Sequence, residues 1–165
     1  MDKIFFEQGQ TAEEFIDGMQ TNRQQFELLL SEVKLTQAQE ELLETLPSNL
    51  NVMAIAEDWS GDVLYYLPVL IQMAYKAGWN LKIFQRDQYP DLILPYRKHG
   101  LYHSIPVFVF FDEEFNEVGR WIERPAAATK MIDEESLKLR RKLREEFKKE
   151  WRQETINEIL NLGLE

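Results

Sequence analysis

The chain has 165 residues, of which 44% are hydrophobic, 12% aromatic and 29% charged. This is the composition of a folded domain with a real core and excludes a disordered segment. With no cysteine it has neither a disulfide framework nor a thiolate zinc site. Its net charge of −10 argues against a nucleic-acid partner, because phosphate binding needs a cationic surface. Residues 1–7 lack the basic start and long apolar run of a signal peptide. The apolar runs at 63–73 and 105–111 are too short or too interrupted to span a bilayer. A soluble cytoplasmic protein with no membrane association is expected.

Thr11 with Glu14 three residues later reads as a capping box, followed by the apolar stripe Phe15, Ile16 and Met19. A second helix is predicted over 21–33, carried by Phe26, Leu29 and Leu30. A third starts at Thr36 and ends near Pro47. Residues 50–56 read as a buried strand. Residues 62–77 then read as a helix that is apolar nearly all round, closed by Gly78 and kinked at Pro68. Residues 79–84 alternate as a strand, and 91–99 suggest a short irregular helix interrupted by Pro95. Residues 105–111 are apolar enough for a central strand and form an antiparallel hairpin with 117–122. From Asp133 to Leu162 one long helix is predicted, since Leu139, Leu143, Phe147 and Trp151 recur every fourth residue.

Charge is unevenly spread. Residues 1–58 hold only three bases, Lys3, Arg23 and Lys34, whereas 137–152 gather Lys138, Arg140, Arg141, Lys142, Arg144, Lys148, Lys149 and Arg152. Glu145, Glu146 and Glu150 are interleaved, and Glu145 stands four residues before Lys149, which reads as a solvated helix face. The element order gives an α/β fold: a mixed four-stranded sheet flanked by helices, with extra N-terminal helices and a long C-terminal one. A single domain over 1–165 is expected, with an arm at 1–48, a core at 49–128 and the C-terminal helix at 129–165.

Two separated motifs carry chemistry. One is Glu57-Asp58-Trp59-Ser60-Gly61-Asp62-Val63 at the strand-to-helix junction; the other is Ser104-Ile105-Pro106 at the start of the central strand. Together they resemble the thioredoxin superfamily, in which a Trp-Cys-Gly-x-Cys segment opens the helix and an Ile-Pro bond beside it is cis. The chain is similar to uncharacterised bacterial thioredoxin-like proteins with an Asp-Trp-Cys-Gly-Asp motif, a Ser-Ile-Pro strand and a closing Arg-Pro, here Arg124-Pro125. The resemblance covers roughly residues 49–128 and implies a thioredoxin-like layout. The redox-motif positions it points to are Trp59, Ser60, Gly61, Asp62 and Val63. Ser60 stands at the attacking cysteine, Val63 at the resolving one, and Ala54 where thioredoxins keep a buried acid. No catalytic residue is assigned, because the thiolate is the nucleophile of that chemistry.

Other candidates read as structural. Ser60 lacks a nearby histidine base and reads as a helix cap. Glu57, Asp58 and Asp62 read as acids stabilised by a helix start and would disfavour anions such as glutathione. His99 and His103 flank Gly100 and read as loop residues, so neither a metal nor a cofactor is expected. Trp59, Tyr65, Tyr66, Tyr102 and Trp121 are candidates for an aromatic surface. The leading expectation is a redox-inactive binding module that holds an extended peptide, a protein or a small ligand in a groove formed by Trp59, Ser60, Ile105 and Pro106. One alternative is a thioredoxin-family oxidoreductase whose catalytic cysteine is replaced by Ser60, through natural loss or engineering. Another is a structural protein that oligomerises, as a homodimer for instance, through the C-terminal helix. In an insulin-reduction assay with dithiothreitol the protein should match the uncatalysed rate; clear acceleration would refute the loss of dithiol chemistry.

Overall fold

A computed structural model describes residues 1–132 and 137–165. The arm holds four helices, α1 (Lys3–Phe6), α2 (Ala12–Gly18), α3 (Arg23–Ser31) and α4 (Gln37–Glu44). Then come β1 (Asn51–Ala56), α5 (Gly61–Ala77), β2 (Asn80–Gln85), β3 (Val107–Phe111), β4 (Glu117–Ile122), α6 (Ala126–Ile132) and α7 (Leu137–Leu160). The sheet order is β2-β1-β3-β4, with β1 parallel to β2 and the other two pairings antiparallel. This is the mixed four-stranded sheet that the element order implies.

Local chemistry explains the boundaries. Both predicted arm caps form: Thr11 and Thr36 accept the backbone N–H three residues on, while Glu14 and Gln39 reach back to the cap amides. Gly78 closes α5 at φ 75°, a left-handed position where a side chain would be strained. The apolar girdle of α5 is used on every side, since the helix packs on β1, β2, α3 and α7. It runs through Pro68 as one unbroken α-helix.

The arm also closes an edge of the sheet. Gln10 exchanges two backbone hydrogen bonds with Ile83, both 2.8 Å, so the outer side of β2 is partly capped. Phe5 stacks on Phe84 with ring centroids 5.4 Å apart, and Phe6 meets Phe115 edge-on.

Several expectations need correction. The short helices α1 and α6 carry no periodic stripe long enough to be read. Residues 91–99 yield only a 3-10 turn, Leu94–Tyr96, because Pro95 sits at its start and suits one turn better than a helix. The last helix is described from Leu137; its predicted start at Asp133 lies outside the described residues. Glu145 bonds Lys148 at 3.1 Å rather than Lys149. Arg144 and Arg152 are not solvated: their side chains are only 11% and 9% exposed.

A Cβ on Gly9 would lie 2.7 Å from the Phe84 ring and 2.8 Å from Lys82 Cβ. Gly9→Ala should therefore cost about 1–3 kcal/mol through overpacking. Differential scanning calorimetry would register it as a Tm loss of several degrees; an unchanged Tm would contradict the close approach of arm and sheet.

Candidate functional site

The β1–α5 junction is the point on which the motif residues converge. Ser60 has extended backbone angles and its Oγ accepts the Val63 N–H at 3.3 Å, so it is the N-cap of α5. It is 9% exposed, and Val63, at the second sulfur position, is 1% exposed. Hydroxyl and isopropyl groups thus fill the two positions as a cap and a core residue.

Trp59 is 52% exposed, unlike the buried Trp79, Trp121 and Trp151. The Arg86 guanidinium lies 5.0 Å from its ring centroid and also donates to the His103 carbonyl at 2.9 Å. That contact ties the indole to the segment leading into Pro106. The Ile105–Pro106 peptide is cis. Both residues are buried, and the Pro106 carbonyl accepts the Glu123 N–H.

The junction acids are all held by specific partners. Glu57 is buried and accepts the Asp87 N–H at 2.8 Å; burial is the main reason its carboxyl titrates above the usual range. Asp58 Oδ2 accepts the amides of Gln20 and Thr21 at 2.7 and 3.1 Å, and Asn22 donates to its carbonyl, so it anchors the loop before α3. Asp62 is 5% exposed and lies between two cations: Arg144 Nε at 3.0 Å and Arg124 Nε at 3.3 Å. Arg124 also pairs with Glu123, which is in turn bonded by Lys98 at 2.8 Å. Of the three, Asp62 is buried and its charge is offset by two arginines, Glu57 is buried on an amide, and Asp58 stays half-exposed on neutral amides.

A groove of about 570 Å³ opens beside the junction, lined by Asn22 and Gln25 of the α3 start, Trp59 to Gly61, Leu64 and Tyr65 of α5, and Arg141, Arg144 and Glu145 of α7. Of the four residues expected to form the groove, Trp59 and Ser60 line it. Ile105 and Pro106 do not; they lie inside the fold. The Arg144 guanidinium covers Gly61 so closely that a Cβ there would meet Nη1 at 3.1 Å. The Tyr65 hydroxyl donates to Glu145 Oε2 at 2.8 Å. Burial, reinforced by that carboxylate, drives the Tyr65 pKa upward, while the same hydrogen bond pulls Glu145 downward.

Of the proposed aromatic surface, Trp59 and Tyr102 are exposed, but Tyr65, Tyr66 and Trp121 are buried. His99 lies within a tight turn closed by paired Lys98–Tyr102 backbone bonds, and His103 directly follows it. Among the described residues no cluster of three or more His, Asp or Glu is arranged to hold a metal ion.

The sequence reading overlooked Arg124 and Arg144 as partners of Asp62, Glu123 as a partner of Arg124, and Arg141 as a groove residue. One signal for Arg144 was present: it stands two helical turns before buried Trp151, on the face that turns inward.

A family model described as thioredoxin matches residues 9–138. Two solved structures are similar throughout. One is a crystal structure of a protein of unknown function from Pseudomonas aeruginosa, 21% identical, covering 95% of this chain and 93% of that one, with a TM-score of 0.73. The other is an HIV epitope-scaffold of the 4E10 series, 22% identical, covering 96% and 94%, with a TM-score of 0.74. No curated protein matches.

Removing Asp62 would leave the inward-turned Arg144 without its carboxylate, while Arg124 keeps Glu123. Asp62→Ala should cost about 3–5 kcal/mol, measured by urea unfolding, because breaking a buried pair leaves charge uncompensated. Asp62→Ala/Arg144→Met should recover part of the loss; no difference between the single and double variants would deny the pairing.

Proposed function

The chain belongs to the thioredoxin family, and on that premise we propose that it is a redox-inactive binding module whose ligand occupies the groove beside Trp59, Ser60 and Gly61. One observation carries the reading. The residue at the attacking-thiol position is spent as a helix cap, while the neighbouring indole, half exposed, forms the rim of a groove of ligand-binding size. A rigid aromatic side chain in such a place supplies contact area at little entropic cost.

The alternatives receive less support. An oxidoreductase would need a thiol at position 60, and the chain has none. A role for the C-terminal helix in association would call for an unpartnered apolar stripe. Trp151, Ile156, Ile159 and Leu160 are instead part of the chain's own core.

A fragment screen followed by ¹H–¹⁵N NMR tests the proposal. Hits should shift the Trp59 indole N–H and the Gly61 amide, and Trp59→Ala should remove those hits while leaving the fold intact. Hits that cluster elsewhere, or that survive in Trp59→Ala, would overturn it. Asp62 is unsuitable as a surface probe because its carboxylate is part of the buried ion network.

A further inference from the structure

We infer that the groove takes a small oxyanion carrying a planar ring: a phosphate or carboxylate held by Arg141 and Arg144, with the ring against Trp59. This rests on the groove being the binding site and adds the chemistry of its occupant.

The charge of the lining points to an anion. In a chain of net charge −10, the charged residues that line this groove are Arg141, Arg144 and Glu145. Glu145 is already engaged, with one oxygen on the Tyr65 hydroxyl and the other on Lys148 Nζ. The nearby acids Asp58 and Asp62 face their own partners. Arg144 is offset by Asp62 and Glu145 by Lys148, which leaves Arg141 as the lining charge with no opposite partner among the described residues, and a low-dielectric recess focuses its field.

The two arginines are differently prepared. Arg144 is fixed: its Nε is on Asp62, and its Nη1 edge lies against Gly61 at the groove floor. A guanidinium anchored through Nε still has its terminal donors for a second anion. Arg141, one turn earlier on the same helix face, is exposed and makes no ion pair or hydrogen bond among the described residues. One preset donor fork and one mobile cation suit an oxyanion with several acceptor oxygens. The positive end of α5 adds the same sign of potential.

The rim specifies the rest of the ligand. Trp59 is exposed beside this cationic patch, and the Arg86 contact restrains its ring. An indole so placed offers a flat apolar surface to a planar group. The volume of about 570 Å³ accommodates a ring and its anionic substituent within the range of small-molecule sites.

The test is a titration of the full chain with phenyl phosphate, benzoate, inorganic phosphate, benzylamine and benzyl alcohol. Tryptophan fluorescence and the Gly61 and Trp59 NMR signals are the readouts. Phenyl phosphate or benzoate should bind saturably, and comparison of the two assigns the anion as phosphate or carboxylate. Inorganic phosphate should bind at least tenfold more weakly than phenyl phosphate. Arg141→Glu, at an exposed position where folding is not at stake, should weaken the aryl anion at least tenfold, and Trp59→Ala should do likewise. If benzylamine or benzyl alcohol binds as tightly, or if Arg141→Glu has no effect, the anion assignment fails while the groove reading stands. Equal affinity for inorganic phosphate removes the ring. If no probe of any charge moves the Gly61 and Trp59 signals, both fail together.

Discussion

The carboxylate of Asp62 organises the end of this molecule that carries the junction motif. It is buried in the first turn of α5, and its two oxygens face Arg124 after β4 and Arg144 in the first third of α7. A lone carboxylate could not persist there, since removing its hydration without partners costs several kcal/mol. Two guanidinium groups offset that cost, and each brings its own segment with it. Arg124 continues to Glu123 and Lys98, so the turn before the cis-proline strand joins the same chain of charges. Apolar residues from Trp151 onward seat α7 in the core, and the Asp62–Arg144 pair fixes its earlier part, one wall of the groove, against α5.

That arrangement gives the junction a different character from a thiol-exchange site. An exchange site needs its nucleophile accessible to a bulky disulfide partner. Here position 60 is nearly covered, its side chain holds the Val63 amide, and the Arg144 guanidinium lies over the adjacent glycine. The space that remains open is displaced toward α3 and α7. Ile105 and Pro106, expected to form the other half of a groove, are packed inside the fold, with the Pro106 carbonyl already satisfied by Glu123. Approach to the junction is past Trp59 and between two helices.

The parts legible in the sequence were those written in local patterns. The alternating strand at 79–84, the apolar β3 and its hairpin, the capping box at Thr11, the helix start at Thr36, and Gly78 after α5 all depend on residues within a few positions of one another. The junction motif was also local, so Trp59 and Ser60 were found. The ion network was not, because Arg144 lies 82 residues from Asp62 and pairs across elements that no periodicity links. The mixed charges of 137–152 looked like a solvated face for the same reason: sequence alternation does not tell which lysine or arginine a neighbouring helix will cover. Asp58 reads from sequence as a helix-start acid, yet it bonds amides at 20 and 21, contacts that only the folded arm creates.

The electrostatics of the α5 start suit a negative charge at position 60, where the chain places a neutral hydroxyl. The start of α5, the Val63 N–H directed at position 60 and the nearby Arg144 are the features that stabilise a thiolate at a helix N-terminus. A serine hydroxyl is neutral at physiological pH and draws on them only as a hydrogen-bond acceptor. Asp62 neutralises part of the cationic field but shares its single charge between two arginines, and Arg141 remains outside that pairing. Position 60 thus leaves the helix-start amide to a neutral cap, while the negative charge that the dipole and the arginines favour is carried two residues on by Asp62.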